Sequence, residues 1–504
     1  MSVLNAFRRN NRGNVATLFA ISLIPLVGAV GAAIDYSRIA QARTKLADAL
    51  DAGLLAVGSQ APMSETRTYA AVKQWVDAHM DGIPYSLDSV DVTDSAITGK
   101  ASTEVEMTLA RILGVERVPL SVTSQALRSL GKVEIALVLD NTGSMKGTKI
   151  ATLRDAAAEL VDTLASATAN PNDLRMALVP FSMTVNVSPQ YNTAPWIDTA
   201  GKSPIADQIF TSSANRLTLF NQMNTNWAGC VESRPYPYDV DITAPTSATP
   251  ATLYVPFFAP DEPDSGGAFY NNYLADYPGD RTFTARQGNP SKYTAPPRAG
   301  TSPVGYQYGP NAGCELAPIQ RLSSNTDTVK TAIKAMKAVG DTNIPMGLHW
   351  GWNVLAPKGE GPFGDGVVYG DGEWTKVVVL MTDGLNQNTG TNNSNDSFYS
   401  GVGYIWQGRI GVGAGSSDAQ RRNALDDRLA ELCKNMKAAG KKNPDDPDRI
   451  VIYTVRVEVK TGSSAVLQDC ASDASKFYDV QNVSQLVAVF KEIGGSIQKL
   501  RLAQ

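Results

Sequence analysis

Apolar positions follow three patterns along the chain, and each pattern predicts a different kind of element. Residues 15–34 form an uncharged apolar run, and a helically spaced apolar stripe continues from it to residue 57. Between residues 88 and 128, Val, Thr and Ser alternate with a period of two, which predicts short strands. From residue 133 onward, apolar strands alternate with helical segments, which is typical of a mostly parallel sheet.

The apolar run has the length of a membrane-spanning helix, since about twenty residues cross a bilayer core of roughly 30 Å. Arg8, Arg9 and Arg12 precede it, which predicts a cytoplasmic tail at 1–14 and an extracytoplasmic remainder. The alternative is a cleaved signal peptide. The run is long for a signal peptide and no A-x-A site follows it, so we expect a retained single-pass anchor.

Residues 35–130 are predicted to form a helical stem and a small α+β module. The stem carries its apolar stripe at Leu46, Leu50, Leu54 and Val57. This stripe predicts an amphipathic helix that packs on its own domain. Packing against neighbouring subunits, as in a pilin, is the alternative.

An α/β domain with a doubly wound, mostly parallel, Rossmann-like sheet is predicted for residues 131–185 and 325–504. The stretch 186–324 breaks the alternation and is rich in Pro, Asn, Tyr, Gly and Ser, so we interpret it as a loop-rich insertion. The predicted strands are 133–139, 175–179, 376–381, 450–457 and 477–480.

Composition excludes several classes of protein. The net charge of −4 over 504 residues argues against a nucleic-acid binder, which would carry a basic face. Two histidines leave little room for zinc sites or histidine-driven catalysis.

Four cysteines without a C-x-x-C spacing suit two disulfides in an oxidising compartment, and they allow three pairings. We prefer Cys230 with Cys314 and Cys433 with Cys470, because each pair then joins residues of one structural unit.

The stretch VEIALVLDNTGSMKGTK, residues 133–149, ends an apolar strand in a polar cluster. Asp140, Thr142 and Ser144 recur at alternate positions at the carboxyl end of a predicted parallel strand, the edge where open α/β sheets bind ligands. A strand-to-helix turn capped by Ser or Thr explains this cluster equally well. Two later residues favour a ligand-binding site, since Thr342 and Asp383 are expected at the same edge of the predicted sheet. Singly, they are explained as a helix N-cap and a strand-end turn.

Oxygen ligands that are mostly neutral hydroxyls suit a hard cation such as Mg²⁺ or Mn²⁺. A carboxylate from a protein partner would complete the coordination and make the ion a bridge.

Enzymatic chemistry at Asp140 is the main rival hypothesis. A phosphotransferase of the haloacid-dehalogenase type needs a second carboxylate two residues on, where this chain has Thr142, and there is no P-loop or G-x-S-x-G motif. His349 is expected to pack beside Trp350 and Trp352 rather than to act at the site. A third hypothesis is a scaffold with a vestigial metal site.

Two further polar stretches have open interpretations. Asp261, Glu262 and Asp264 suggest calcium binding, although solvated loop acids are the expected interpretation. The run QNTGTNNSNDS after Asp383 is expected to overhang the site, as a ligand contact or as a mobile polar loop.

The segment RGNVATLFAISLIPLVGAVGAAIDYSR, continuing into LADALDAGLLA, resembles TadE/TadG-like proteins of tight-adherence (Flp) pilus assembly. Processed pseudopilins of that group often have Glu where this chain has Leu18, so the resemblance implies a retained anchor. WAGCVESRP, YVPFFAPDEPD, NAGCELAP, TNIPMGLHWGWNVL and LQDCAS are similar to the inserted region and later parts of TadG-like proteins.

The strand-end cluster resembles the metal-ion-dependent adhesion site (MIDAS) of von Willebrand factor A (vWA) domains. Asp140, Thr142 and Ser144 match the family's D-x-S-x-S with Thr at the middle position, Thr342 matches its separate threonine, and Asp383 matches its T-D-G aspartate. The resemblance implies ligation through the three hydroxyls, with the two aspartates acting largely through water.

The expected function is therefore that of a bacterial inner-membrane protein with one span and its bulk in the periplasm or cell exterior. It would serve pilus assembly or surface adhesion by a Mg²⁺- or Mn²⁺-dependent contact with a protein partner, among other envelope proteins and without nucleic acid.

Overall fold

The computed structural model describes residues 14–58, 63–93, 96–127, 132–168, 170–264, 270–459 and 465–502. The chain divides into two compact units, Met1–Leu130 and Gly131–Gln504. Residues 1–13 of the predicted cytoplasmic tail lie outside the described residues, and so do the arginines on which the predicted orientation rests.

The first unit is built on one continuous helix, α1 (Asn14–Gly58), which contains Pro25. Its large apolar side chains from Leu18 to Ile34 are exposed, Ile24 by 76%. The helix is long and apolar enough to cross a membrane, which fits a single-pass anchor.

The second half of α1 packs on its own module. The predicted stripe of Leu46, Leu50, Leu54 and Val57 is fully buried. It packs in one core with apolar residues of α2 (Glu65–Met80) and of an antiparallel sheet. The sheet consists of β1 (Ser86–Val92), β2 (Ala96–Glu106) and β3 (Arg117–Leu127), in the order β1-β2-β3. The predicted packing of the stem within its own domain is confirmed.

The second unit is mixed α/β around an eight-stranded sheet that contains a parallel part. Its strands are β4 (Lys132–Asp140), β5 (Leu174–Phe181), β6 (Val185–Asn186), β7 (Cys230–Val231), β8 (Gln320–Ser323), β9 (Trp374–Thr382), β10 (Ile450–Val457) and β11 (Phe477–Val480). The order is β11-β10-β9-β4-β5-β6-β7, with β8 on β5. The first five strands of that order are mutually parallel, and β6, β7 and β8 pair antiparallel.

Helices cover both faces of this sheet. They are α3 (Thr148–Ser166), α6 (Thr326–Ala335), α7 (Ile344–Leu355), α8 (Asp418–Ala438), α9 (Ala465–Cys470) and α10 (Leu486–Leu502). Two short helices, α4 (Arg216–Gln222) and α5 (Phe283–Gly288), belong to the loop-rich stretch. Alternate residues of β4 separate the two cores, as a strand requires. Ile135 and Leu137 share a core with α3, α6 and α10, whereas Ala136 and Val138 share one with α7, α8 and the loop-rich stretch.

The stretch 186–324 is continuous with the α/β core. Trp196, Tyr254 and Phe257 from this stretch lie in the same core cluster as Val138 of the central strand. The sheet also runs past the expected start of the insertion, because β6 spans Val185–Asn186 and is followed by β7 and β8. Two-residue strands carry no period, so the sequence pattern could not show them.

Both preferred disulfides are present. Cys230 bonds Cys314, which ties β7 to the end of the loop-rich stretch. Cys433 bonds Cys470, which joins α8 to α9. All four cysteines of the chain are therefore paired, as the cysteine count predicted.

Candidate metal-binding site

Two acidic residues reach the same edge of the sheet because their strands are parallel neighbours. Strands β4 and β9 pair with Leu139 opposite Met381. Asp140 is the last residue of β4, and Asp383 follows β9 directly. The sheet register thus places the two carboxylates together, as expected for the carboxyl ends of adjacent parallel strands.

Asp140 is completely buried. One of its carboxylate oxygens accepts the backbone N–H of Thr142 at 2.7 Å, and the other accepts the hydroxyl of Thr382 at 2.6 Å. Burial, followed by the charge of Asp383, raises the pKa of Asp140 above its ordinary value. Two carboxylates in a dry site repel one another, so this arrangement favours a positive charge.

Hydroxyl groups of the loop after β4, here called the first loop, connect that loop to Asp383 after β9. The hydroxyls of Thr142 and Ser144 are 2.8 Å apart, and the Ser144 hydroxyl donates to Asp383 Oδ1 at 2.7 Å. Ser144 lies in a 3-10 turn, Gly143–Met145, and is exposed, whereas Thr142 is buried. The cluster is therefore anchored in the core and open to solvent at Ser144.

Thr342 lies on a third loop beside this cluster. The N–H of Gly143 donates to the carbonyl of Gly340 at 2.8 Å. This bond joins the loop after β4 to the loop that precedes α7. Gly340 has a φ of +79°, a left-handed conformation that favours glycine. Thr342 is buried, and its hydroxyl lies 3.6 Å from where a Cβ would stand on Gly384. All five predicted residues thus lie on three adjoining loops.

Thr142, Ser144 and Thr342 do not act as the N-caps of the α-helices that follow them. The N-cap of α7 is Asn343, whose side chain accepts the N–H of Met346 at 3.1 Å, so Thr342 is not the cap. The N-cap of α3 is Gly147, so neither Thr142 nor Ser144 caps that helix. Helix capping therefore does not explain the three hydroxyls.

Lys149 is a member of the site that sequence reasoning missed. Its ammonium is 2.6 Å from Asp383 Oδ2 and 3.6 Å from Glu458. Partial burial lowers the pKa of Lys149, but the carboxylates of Asp383 and Glu458 outweigh burial and raise it. A signal existed, because a lysine in the first turn of α3 is unfavourable to the helix dipole and implies another partner.

The donor set suits a hard cation only with its hydroxyls included. In the part of the chain that the structure describes, no cluster of three or more His, Cys, Asp or Glu side chains is placed to hold a metal ion. Two carboxylates and three hydroxyls are oxygen donors of the kind that Mg²⁺ and Mn²⁺ accept together with water. Lys149 must leave Asp383 Oδ2 before that oxygen can serve a cation or its water.

His349 does not have the environment of a catalytic base. The ring is buried, its Nε2 is 2.7 Å from the Tyr254 hydroxyl, and the rings of Tyr254 and Trp350 pack around it. Burial lowers the pKa of His349 well below its ordinary value. The expected packing beside Trp350 agrees with these contacts.

The expectation that Asp261 and Glu262 are solvated loop acids is wrong. Both are buried. Asp261 pairs with Lys292 at 2.7 Å, and Glu262 accepts backbone N–H groups and the Tyr404 hydroxyl. Lys292 and Tyr404 lie 31 and 142 residues from the acids that they contact, so local composition could not reveal this burial.

The Asn-rich run after Asp383 is fixed in place by its side chains rather than loosely solvated. Asn388, Asn395 and Ser397 are buried. Asn395 bonds Gln287 of the loop-rich stretch at 2.8 Å. Part of this run is therefore packed against the loop-rich stretch, while Gln387, Asn392 and Ser394 are exposed.

Comparison with known proteins identifies the N-terminal segment. Residues 13–60 match the family described as putative Flp pilus-assembly TadE/G-like. The resemblance of this segment to TadE/TadG-like pilus-assembly proteins is thus confirmed. No curated protein matches the chain significantly in sequence.

Similar solved structures are remote. The vWF domain of the type V pilus tip protein Mfa5 from Porphyromonas gingivalis is 12% identical, with a TM-score of 0.31 over 73% of this chain and 96% of that chain. The PilB minor pilin from Streptococcus sanguinis is 12% identical, with a TM-score of 0.32 over 83% of this chain and 79% of that chain. The pilus adhesin SpaC from Lactobacillus rhamnosus GG is 10% identical, with a TM-score of 0.33 over 82% of this chain. This chain spans 35% of the length of SpaC. Scores this low assign no function.

Proposed function

We propose that this chain is a membrane-anchored, extracytoplasmic binding protein of Tad/Flp pilus assembly or surface adhesion, and that it contacts a protein partner through a Mg²⁺- or Mn²⁺-dependent site. The observation that carries the proposal is the hydroxyl chain from Thr142 through Ser144 to Asp383, in which neither hydroxyl caps the following helix. Groups that a fold does not need for capping are available for a ligand.

The second unit is proposed to be a vWA-type, doubly wound domain whose MIDAS-like site holds the ion. Thr142, Ser144 and Thr342 would ligate through their hydroxyls, and Asp140 and Asp383 largely through water. Bound there, the ion would supply a positive charge at the exposed edge of the site. The site would be open to solvent at Ser144, so a carboxylate of a protein partner would reach the ion there.

The anchor and the disulfides support an extracytoplasmic location. The apolar part of α1 has the length of a membrane span, and the TadE/G-like match covers this same segment. Both disulfides lie in the second unit, which suits an oxidising compartment outside the cytoplasm. We therefore place this unit in the periplasm or at the cell exterior, held by a single span of the inner membrane.

Catalysis by Asp140 is disfavoured by its surroundings. Its side chain is fully buried, and its two oxygens accept hydrogen bonds from Thr142 and Thr382. A nucleophile or general base needs an oxygen that a substrate reaches. A phosphotransferase or hydrolase is therefore the weaker hypothesis.

A scaffold without a cation is the second candidate function, and Lys149 favours it. The ammonium already neutralises Asp383 and contacts Glu458. In that case the site would be a structural ion pair at a loop junction.

Photo-crosslinking in cells tests the proposed partner contact. A photoreactive amino acid replaces the exposed Lys146, two residues from Ser144, and a matched probe replaces the exposed Lys434 on α8. We expect a crosslinked protein partner at position 146 that disappears with EDTA or with Ser144→Ala, and no such dependence at position 434. Crosslinks at 146 that persist in both conditions would favour the scaffold.

A further inference from the structure

The loop between β2 and β3, residues 107–116 and here called the hairpin tip, is fastened to α1 where the apolar run ends. Asp35 is the first residue after that run and is buried. Its carboxylate accepts three consecutive backbone N–H groups, from Thr108 at 2.8 Å, Leu109 at 3.0 Å and Ala110 at 2.8 Å. Charge-assisted bonds of this kind are strong, so they fix the height of the hairpin tip along α1.

A second contact reaches further along α1 into the apolar run. A Cβ on Gly31 would stand 2.2 Å from Leu109 Cδ1, so the leucine side chain occupies the space that the glycine leaves. Gly31 precedes Asp35 by four residues, which corresponds to about 6 Å along a helix. The hairpin tip therefore lies level with the last turn of the predicted membrane span.

Two apolar side chains of the hairpin tip are exposed, flanked by the exposed charged residues Arg111 and Glu116. Ile112 is 79% exposed and Val115 is 44% exposed. On α1, Val30 and Ile34 at the same level are 53% and 46% exposed. A bilayer that surrounds the apolar run would also meet Ile112, because the two contacts with Asp35 and Gly31 hold the tip at that depth.

We propose that the hairpin tip inserts Ile112 and Val115 into the outer surface of the lipid bilayer, as a second membrane contact beside α1. A single helix leaves the module free to rotate about the helix axis. A second lipid contact at one side fixes that rotation, and Asp35 is the positioning residue that holds it. The inference rests on the proposed membrane anchor and adds a lipid-binding site to it.

Depth-dependent fluorescence quenching in the full-length protein tests this site. The four native cysteines are paired, so Ile112→Cys can be labelled selectively with an environment-sensitive fluorophore. The protein is reconstituted in phosphatidylethanolamine and phosphatidylglycerol vesicles that contain lipids with a nitroxide near the headgroup. Leu55→Cys is the matched control, since Leu55 is 64% exposed and about 30 Å from Asp35 along the same helix. Ile24→Cys reports on the anchor.

We expect a blue shift and strong quenching for the label at position 112, and aqueous emission without quenching at position 55. Adding Asp35→Ala should reduce the quenching at position 112 and leave that at position 24 unchanged. A lipid-exposed label at position 24 with an aqueous label at position 112 would overturn the second contact alone. Aqueous labels at both positions would overturn the anchor and the second contact together.

Discussion

Two buried clusters of the second unit each combine two acidic residues with a lysine, but the lysine is placed differently in each. Asp261 pairs with Lys292 and accepts the N–H groups of Tyr273 and Leu274. Burial raises the pKa of Asp261, and the charge of Lys292 opposes that shift. At Asp140 burial has the same direction, but the nearest charge is another carboxylate and adds to the shift. In the first cluster the lysine pairs with the buried acid itself, whereas in the second cluster Lys149 pairs with Asp383 and leaves Asp140 without a cationic neighbour.

The charge nearest to a buried acid separates a structural network from a binding site in this protein. In both places the acids are hydrogen-bonded, so burial and bonding alone do not separate them. The sign of the nearest charge does. At the ends of β4 and β9, Lys149 pairs with Asp383, whereas Asp140 faces that second carboxylate and only neutral hydrogen-bond donors. Such an excess of negative charge at a solvent-open edge is typical of a ligand-binding site.

Removing the acid from the neutralised cluster should have the largest effect on stability. Asp261→Ala leaves the buried ammonium of Lys292 unpaired, and breaking a buried pair in this way costs about 3–5 kcal/mol. We expect that loss in the free energy of unfolding from denaturant titration, and no change in cation affinity. The double variant Asp261→Ala, Lys292→Met should recover the part of the stability that the unpaired ammonium costs, but not the part lost with the bonds from the N–H groups of Tyr273 and Leu274. A single variant as stable as wild type would show that the pair is not structural.

Replacing Asp140 by a neutral side chain should change the free energy of unfolding in the opposite direction as the pH rises. The pKa of Asp140 is raised to about 6 in the folded state, so the ionised carboxylate destabilises the fold once the pH exceeds its unfolded value. Asp140→Asn should therefore gain stability relative to wild type between pH 4 and pH 7 in the cation-free protein. The change with pH is the measure, because the amide has one acceptor oxygen for the two donors that the carboxylate accepts. The gain should shrink as the pH falls below about 6 and vanish below about 4.

Unfolding titrations of Asp140→Asn and wild type at pH 4 and pH 7, both in EDTA, check this sign. A difference in stability between variant and wild type that is the same at pH 4 and pH 7 would contradict the raised pKa of Asp140.

Lys149 gives a smaller and more selective test of the comparison. Lys149→Met removes the ammonium that competes with a cation for Asp383. We expect tighter Mg²⁺ binding, by roughly tenfold, which corresponds to about 1.4 kcal/mol. Lys146→Met removes an exposed lysine three residues earlier and should change the affinity little. Weaker binding in Lys149→Met would mean that the ammonium supports the site.

The long periodic strands, and the meeting of two acids at the ends of neighbouring strands, could be predicted from the sequence. β10 and β11 begin and end where the apolar pattern places them, at 450–457 and 477–480. Asp140 and Asp383 meet because parallel neighbours end at one edge, a rule that needs only the order of the strands. The TadE/G-like segment was recognisable because its motif is contiguous.

Features that depend on distant partners could not be predicted. Lys149 pairs with Asp383 across more than two hundred residues, so its position in the first turn of α3 indicates that it has a partner but not which one. The burial of Asp261 depends on Lys292, which contributes from a loop without regular spacing. The short strands β6 and β7 exist only because the larger sheet pairs with them. Tertiary contacts decide such features, and local propensity does not.

Direct cation binding is the measurement that tests the central claim. Isothermal titration of the full-length protein in detergent with Mg²⁺, and separately with Mn²⁺, compares wild type with Asp140→Ala and with Ser166→Ala, an exposed serine at the end of α3. We expect one binding event in wild type and in Ser166→Ala, and none in Asp140→Ala. Absence of binding in wild type, or equal binding in Asp140→Ala, would contradict a cation site at the ends of β4 and β9.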